Sequence, residues 1–123
     1  MAAIAWLAMA LMGSGSPAAL SCTVEGSLKA GLEPQAICRR FAEAMSAAGR
    51  AYVLKPAGSM RDGVRVAIRF ERGDTVSATA TIFRGGRAHP LETRLISSSD
   101  RPLGLDSIGL LARDVAQAVA KSD

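Results

Sequence analysis

The chain has 123 residues, with 15 Lys or Arg against 11 Asp or Glu, and only 4% of its residues are aromatic. This length holds one hydrophobic core and not two, and the net charge of +4 is a solubilising excess that an anionic partner would also tolerate. Scarce aromatics remove the stacking platforms on which single-stranded nucleic acid binding depends, so nucleic acid is not an expected partner.

Residues 1–21 carry no charged side chain, and AAIAWLAMALM (2–12) is an unbroken apolar run of secretory length. It stops at GSGSP (13–17), well short of the roughly 20 apolar residues that cross a bilayer. The expected organisation is a signal peptide over 1–21 and a single small domain over 22–123, without a transmembrane span in the mature chain. No basic residue precedes the run, so a start further upstream would complete the pattern; a buried N-terminal helix is the alternative. Ala19 and Ser21 satisfy the small-residue rule for a cut before Cys22, and Ser16 with Ala18 offers a second site. Lipoprotein processing at Cys22 matches only in part, because the bulky Leu20 stands where a small residue is wanted.

Cys22 and Cys38 are the two cysteines. An even pair behind a leader indicates a disulfide in an oxidising compartment, and lipidating Cys22 would strand Cys38 as a free thiol. Closing that loop contributes about 3 kcal/mol in the chain-entropy account. The expected location is therefore periplasmic or secreted, with a lipoprotein anchored through Cys22 as the alternative. Two unpaired core cysteines would instead go with a cytosolic chain.

After a short extended candidate around Thr23–Glu25, residues 33–49 read as an amphipathic helix. Pro34 suits its first turn and Gly49 its C-terminal cap, with Ile37, Phe41, Met45 and Ala48 on one face. AYVLK (51–55) is a short strand candidate. VRVAIRFE (64–71) and TVSATATIF (75–83) then alternate without a break, as half-buried strands do. A three-residue connection at 72–74, with Gly73 at positive φ, pairs Phe70 with Val76, Ile68 with Ala78, Val66 with Ala80 and Val64 with Ile82 on the dry side. A two-residue turn would throw the apolar sets onto opposite faces. RGGRAHP (84–90) reads as loop, and LETRLI (91–96) as a strand with Leu91, Thr93 and Leu95 inward. Residues 103–121 form a second helix with Leu105, Ile108, Leu111, Ala112, Val115, Ala118 and Val119 on its apolar face, and Asp106 is its expected N-cap.

One-sided strands need a cover and one-sided helices need a floor. The expected fold class is α+β, a two-layer sandwich in the order (β)αββββα, with two helices on one face of a mainly antiparallel sheet of about four strands. A further N-terminal strand would come from the segment after the leader.

No motif supplies catalysis. His89 is the only histidine and has no nearby cysteine or carboxylate cluster, so it makes no recognisable zinc site, and no spacing in the sequence points to a Ser/His/Asp arrangement around it. No cofactor is indicated. RGGR (84–87) could offer backbone N–H groups to a phosphate but lacks the following helix that makes such cradles specific. The RGD tripeptide (72–74) is accounted for as a hairpin turn.

The remaining candidate is the sheet face opposite the helices. Arg65, Arg69, Thr79, Thr81 and Arg94 would lie on it, with Lys55, Glu71 and Glu92, and Arg84 and Arg87 at its rim. Such a surface suits an envelope protein or an anionic envelope component, although Thr and Arg are also ordinary solvent-facing strand residues. The indicated function is a small exported, non-catalytic binding or accessory domain. A secreted hydrolase or enzyme inhibitor, with a site built from loops 56–63 and 84–90 near His89, is the competing reading.

Overall fold

A computed structural model describes residues 17–26, 32–56, 58–71, 75–97 and 104–122. The run expected as a leader, at 1–16, and the turn expected at 72–74 lie outside them. Strand β1 (Ala18–Gly26) is followed by helix α1 (Pro34–Ala48), strands β2 (Tyr52–Lys55), β3 (Gly63–Glu71), β4 (Thr75–Arg84), β5 (Arg87–Pro90) and β6 (Arg94–Ser97), and helix α2 (Leu105–Lys121). The sheet runs β2-β1-β3-β4, with β5 and β6 pairing one after the other along the far side of β4. Both helices pack on one face: α1 against β1 and β2, α2 against β4 and β6, and each against the other.

The expected register of the central hairpin is the observed one. Phe70 faces Val76, Ile68 faces Ala78, Val66 faces Ala80 and Val64 faces Ile82, and all eight side chains are buried. Ala78 and Ala80 are small, which lets the apolar stripe of α2 sit close to the sheet; Ile108, Leu111, Ala112, Val115 and Val119 complete this layer with Ile37, Phe41 and Met45 of α1. Ala48 is exposed, so the buried stripe of α1 ends at Met45. The N-cap of α2 is Gly104, and Asp106 stands in the first turn, where its charge complements the helix dipole.

Three features differ from the sequence expectation. The sheet is mixed, because β1 pairs in parallel with β2 on one side and β3 on the other. The β1-α1-β2 segment is thus a crossover unit, in which a helix carries the chain back so that the next strand can run the same way. Second, β1 begins at Ala18 rather than near Thr23, and the boundary expected between residues 21 and 22 falls inside it. Leu20 is 0% exposed and Ser21 1% exposed. Third, 84–90 is a β-hairpin: Gly85 (φ 59) and Gly86 (φ 84) make the two-residue turn, with the paired positive φ values that match strand twist.

Beyond that hairpin the outer ladder changes register. Thr81 pairs with Pro90, yet Ala78 pairs with Arg94, so one extra residue has entered between β5 and β6. Pro90 has no amide to give to the ladder, and the pairing resumes as a β-bulge, with Leu91 N–H donating to the Ala80 carbonyl at 2.8 Å. The extra residue reverses the side-chain parity of β6. Leu91 still packs on the core, but Arg94 and Ile96 now face the helices and Leu95 faces out.

The disulfide ties the layers together. Cys22, on the helix side of β1, is bonded to Cys38 near the start of α1, with Cα atoms 5.7 Å apart. At the other end of β1, Gly63 (φ 143) lies where an added Cβ would meet the Ala19 carbonyl oxygen at 2.5 Å. Gly63→Ala should destabilise the fold by about 1–3 kcal/mol from the backbone conformation, with the clash adding to it. Urea unfolding of the variant tests this; an unchanged midpoint would mean that Ala19 does not pack there.

Candidate functional site

The side of the sheet away from the helices is built by the strand parity. From β3 it takes Arg65, Ala67, Arg69 and Glu71, and from β4 Thr75, Ser77, Thr79, Thr81 and Phe83; Arg65 lies opposite Thr81, Ala67 opposite Thr79 and Arg69 opposite Ser77. Thr23 and Glu25 of β1 extend this face past Ala67 and Arg69. Hydroxyls join its outer rows: Thr79 Oγ1 and Thr93 Oγ1 are 2.7 Å apart, and Thr75 Oγ1 and Ser97 Oγ are 3.2 Å apart. The bulge then places Leu95, 63% exposed, beside Ser77. The result is a flat, hydroxyl-rich surface with Ala67, Arg69 and Leu95 standing exposed on it. Among the described residues, Arg69 has no hydrogen bond or ion pair.

The other basic residues expected here are placed differently. Arg65 is on the face but folded back: its Nη2 donates to the Gly58 carbonyl at 2.7 Å, and its Cζ lies 4.9 Å from the Phe83 ring centroid, a cation–π distance. Arg84 has the parity of Ile82 and belongs to the helix side, where its Nη2 donates to the Ser122 carbonyl at 2.7 Å, just beyond α2. Arg94 is also on the helix side, because the bulge turned it over; its Nη1 lies 3.1 Å from Asp114 Oδ1 of α2. Arg87 is exposed beside the hairpin turn, and Lys55 is exposed on the edge strand opposite Ser21. The open face is therefore less cationic than the alternation implies, because Arg84 and Arg94 are absent from it and Arg65 is committed at one end.

Segments 58–62 and 84–87 do meet, as the loop-built alternative required. Their contact is self-contained: Gly85 N–H donates to Asp62 Oδ1 at 3.0 Å, and Gly86 N–H to the Arg61 carbonyl at 2.9 Å. The N–H groups that RGGR could have offered to a phosphate are taken up by the chain itself. His89 is exposed on β5, paired with the buried Ile82, and Glu92 is exposed in the bulge. Among the described residues, no three His, Cys, Asp or Glu side chains are placed to hold a metal ion.

One surface was missed. On the solvent side of the helix layer, a groove of about 670 Å³ runs between α1 and α2 over Ala44, Ala47, Gly109 and Ala120, bordered by Arg40, Arg113 and Lys121 with Glu43. Its signal in the sequence is a second helical stripe on each helix, Arg40-Ala44-Ala47 and Gly109-Arg113-Gln117, at the three- and four-residue spacing of neighbours on a helix surface. Only the crossing of the two helices makes a groove of them.

These elements define a small two-layer α+β domain with a strand-to-helix disulfide and one sheet face that no described helix covers. The sequence matches no family model and no curated protein. Among solved structures, the chain is similar to the PelC dodecamer from Paraburkholderia phytofirmans in two crystal forms. One is 16% identical, covering 85% of this chain and 89% of that chain at a TM-score of 0.57; the other is 17% identical with the same coverage at 0.56. At that identity the likeness is one of fold. Among the described residues, no helix is long and apolar enough to cross a membrane.

Proposed function

We propose that this chain is a non-catalytic accessory domain of a cell envelope, and that it works by binding a protein partner through its open sheet face. The observation that carries this reading is the placement of both helices on one side of the sheet, which leaves Ala67, Arg69 and Leu95 exposed on the other. A bare β-surface with a protruding leucine and an uncommitted guanidinium is suited to a flat protein contact, in which an apolar centre excludes water and a charge fixes orientation. The disulfide supports an oxidising compartment. Because PelC forms a dodecamer, the first partner to test is another copy of this chain.

The test is native mass measurement with crosslinking in envelope extracts, comparing the wild type with Ala67→Glu/Arg69→Glu. Both positions are exposed, so the fold should be retained. The wild type is expected to form an assembly or capture an envelope protein, and the double variant to lose at least tenfold in yield. Equal capture by both proteins would remove the sheet face from consideration.

A further inference from the structure

We propose that the leader is removed between Ala18 and Ala19, so that the working chain begins at Ala19 and keeps Leu20, Ser21 and a disulfide-bonded Cys22. The proposal rests on the reading of this chain as exported. Water adds across the Ala18–Ala19 amide, leaving a carboxylate on Ala18 and an amine on Ala19. Ser16 and Ala18 supply the small side chains that ordinary leader peptidases require.

The structure bears on the choice because the two candidate cuts have unequal consequences for β1. Every residue pair between β1 and β2 is made by Ala18, Ala19, Leu20 and Ser21, against Tyr52, Val53, Leu54 and Lys55. A cut before Cys22 removes all four, and with them Leu20, which is completely buried opposite Val64. The edge strand β2 would lose the neighbour that holds it to the sheet, and the core would open beside Val64. A cut after Ala18 gives up only the Ala18–Tyr52 pair and the 2.9 Å bond from the Ala18 N–H to the Ala51 carbonyl.

Lipoprotein processing fails on two independent grounds. It would make Cys22 the first residue, with the same loss of strand. It would also convert Cys22 Sγ to a thioether, which could not then form the bond to Cys38 that the structure contains. A lipid-anchored form would therefore lack both the disulfide and the first half of the central parallel strand.

The full chain, produced in a bacterial host carrying both ordinary and lipoprotein leader peptidases, is fractionated, and intact masses are measured with and without reductant before alkylation. The expected product is an envelope species beginning at Ala19 that takes up two alkyl groups only after reduction. An envelope species beginning at Cys22, with or without a diacylglyceryl group, or at any other residue overturns the proposed site while leaving export intact. A chain retaining Met1 in the cytosol overturns the export reading and this proposal together. As a second measurement, chains starting at Ala19 and at Cys22 are made directly and oxidised. The first should unfold cooperatively, and the second should show no cooperative transition; equal unfolding midpoints would overturn the structural reason for the cut.

Discussion

Replacing Phe41 by alanine should destabilise the protein by about 3–5 kcal/mol, the usual range for emptying an aromatic from a packed core. Phe41 is completely buried on α1 and belongs to the core cluster that joins the helices to the sheet. Small domains are stable by only about 5–15 kcal/mol, so the loss is a large share of the total. A domain of this size loses roughly 4–8 °C of melting temperature per kcal/mol, which puts the expected drop well above 10 °C. Leu110→Ala is the control. Leu110 is a large apolar residue too, but it is more than half exposed on α2, and its removal should move stability by no more than about 0.5 kcal/mol. Similar losses at the two positions would mean that the dry layer does not lie between the helices and the sheet.

Removing the Cys22–Cys38 bond should cost about 3 kcal/mol, because the sixteen-residue separation of its ends sets how much freedom the unfolded chain regains. The loss resides in the cross-link and not in either side chain. Cys22→Ala alone should therefore cost nearly as much as Cys22→Ala/Cys38→Ala, a marked departure from additivity. Denaturant unfolding with and without reductant checks this. Reductant should bring the wild type down to the level of the double variant and leave that variant where it was. A wild type indifferent to reductant would show that the bond either does not form or does not constrain the chain.

The central hairpin was legible because β3 and β4 each have one dry and one wet side. Val64, Val66, Ile68 and Phe70 against Val76, Ala78, Ala80 and Ile82 admit one register in which every apolar side chain is covered, and that register is present. The helices were legible for the same reason, through Ile37-Phe41-Met45 and Ile108-Leu111-Ala112-Val115. The first half of β1 was not. Ala18, Ala19 and Ser21 are the small residues a leader peptidase selects, and nothing local distinguishes that use from a tightly packed strand. The partners that make it a strand lie on Tyr52–Lys55 and Val64–Phe70, more than thirty residues away.

Strand alternation places Arg65 and Arg69 on the open side of β3 as the sequence predicts, but it does not place Arg84 and Arg94 there. LETRLI alternates in a way that sends Leu95 inward, but the bulge after Pro90 belongs to the pairing with β4 and leaves no trace in those six residues. It exchanges a guanidinium for a leucine on the exposed side. The helix groove was hidden for a different reason: alanines and glycine at Ala44, Ala47 and Gly109 are unremarkable on a helix taken singly, and they matter only once α1 and α2 lie against each other.

The position of β1 also governs when the sheet can close. Among the described strands it is the first to be synthesised, and it sits between β2, some thirty residues later, and β3, more than forty residues later. Until Gly63–Glu71 has emerged, one long side of β1 has no backbone partners. Such non-local pairing is slow to nucleate, and an unpaired strand is prone to misassociate while it waits. Vectorial delivery from the N-terminus therefore leaves the β1–β3 seam open until β3 arrives, with β4, β5 and β6 added after it, and keeping β1 solvated or shielded in the interval becomes part of making the protein.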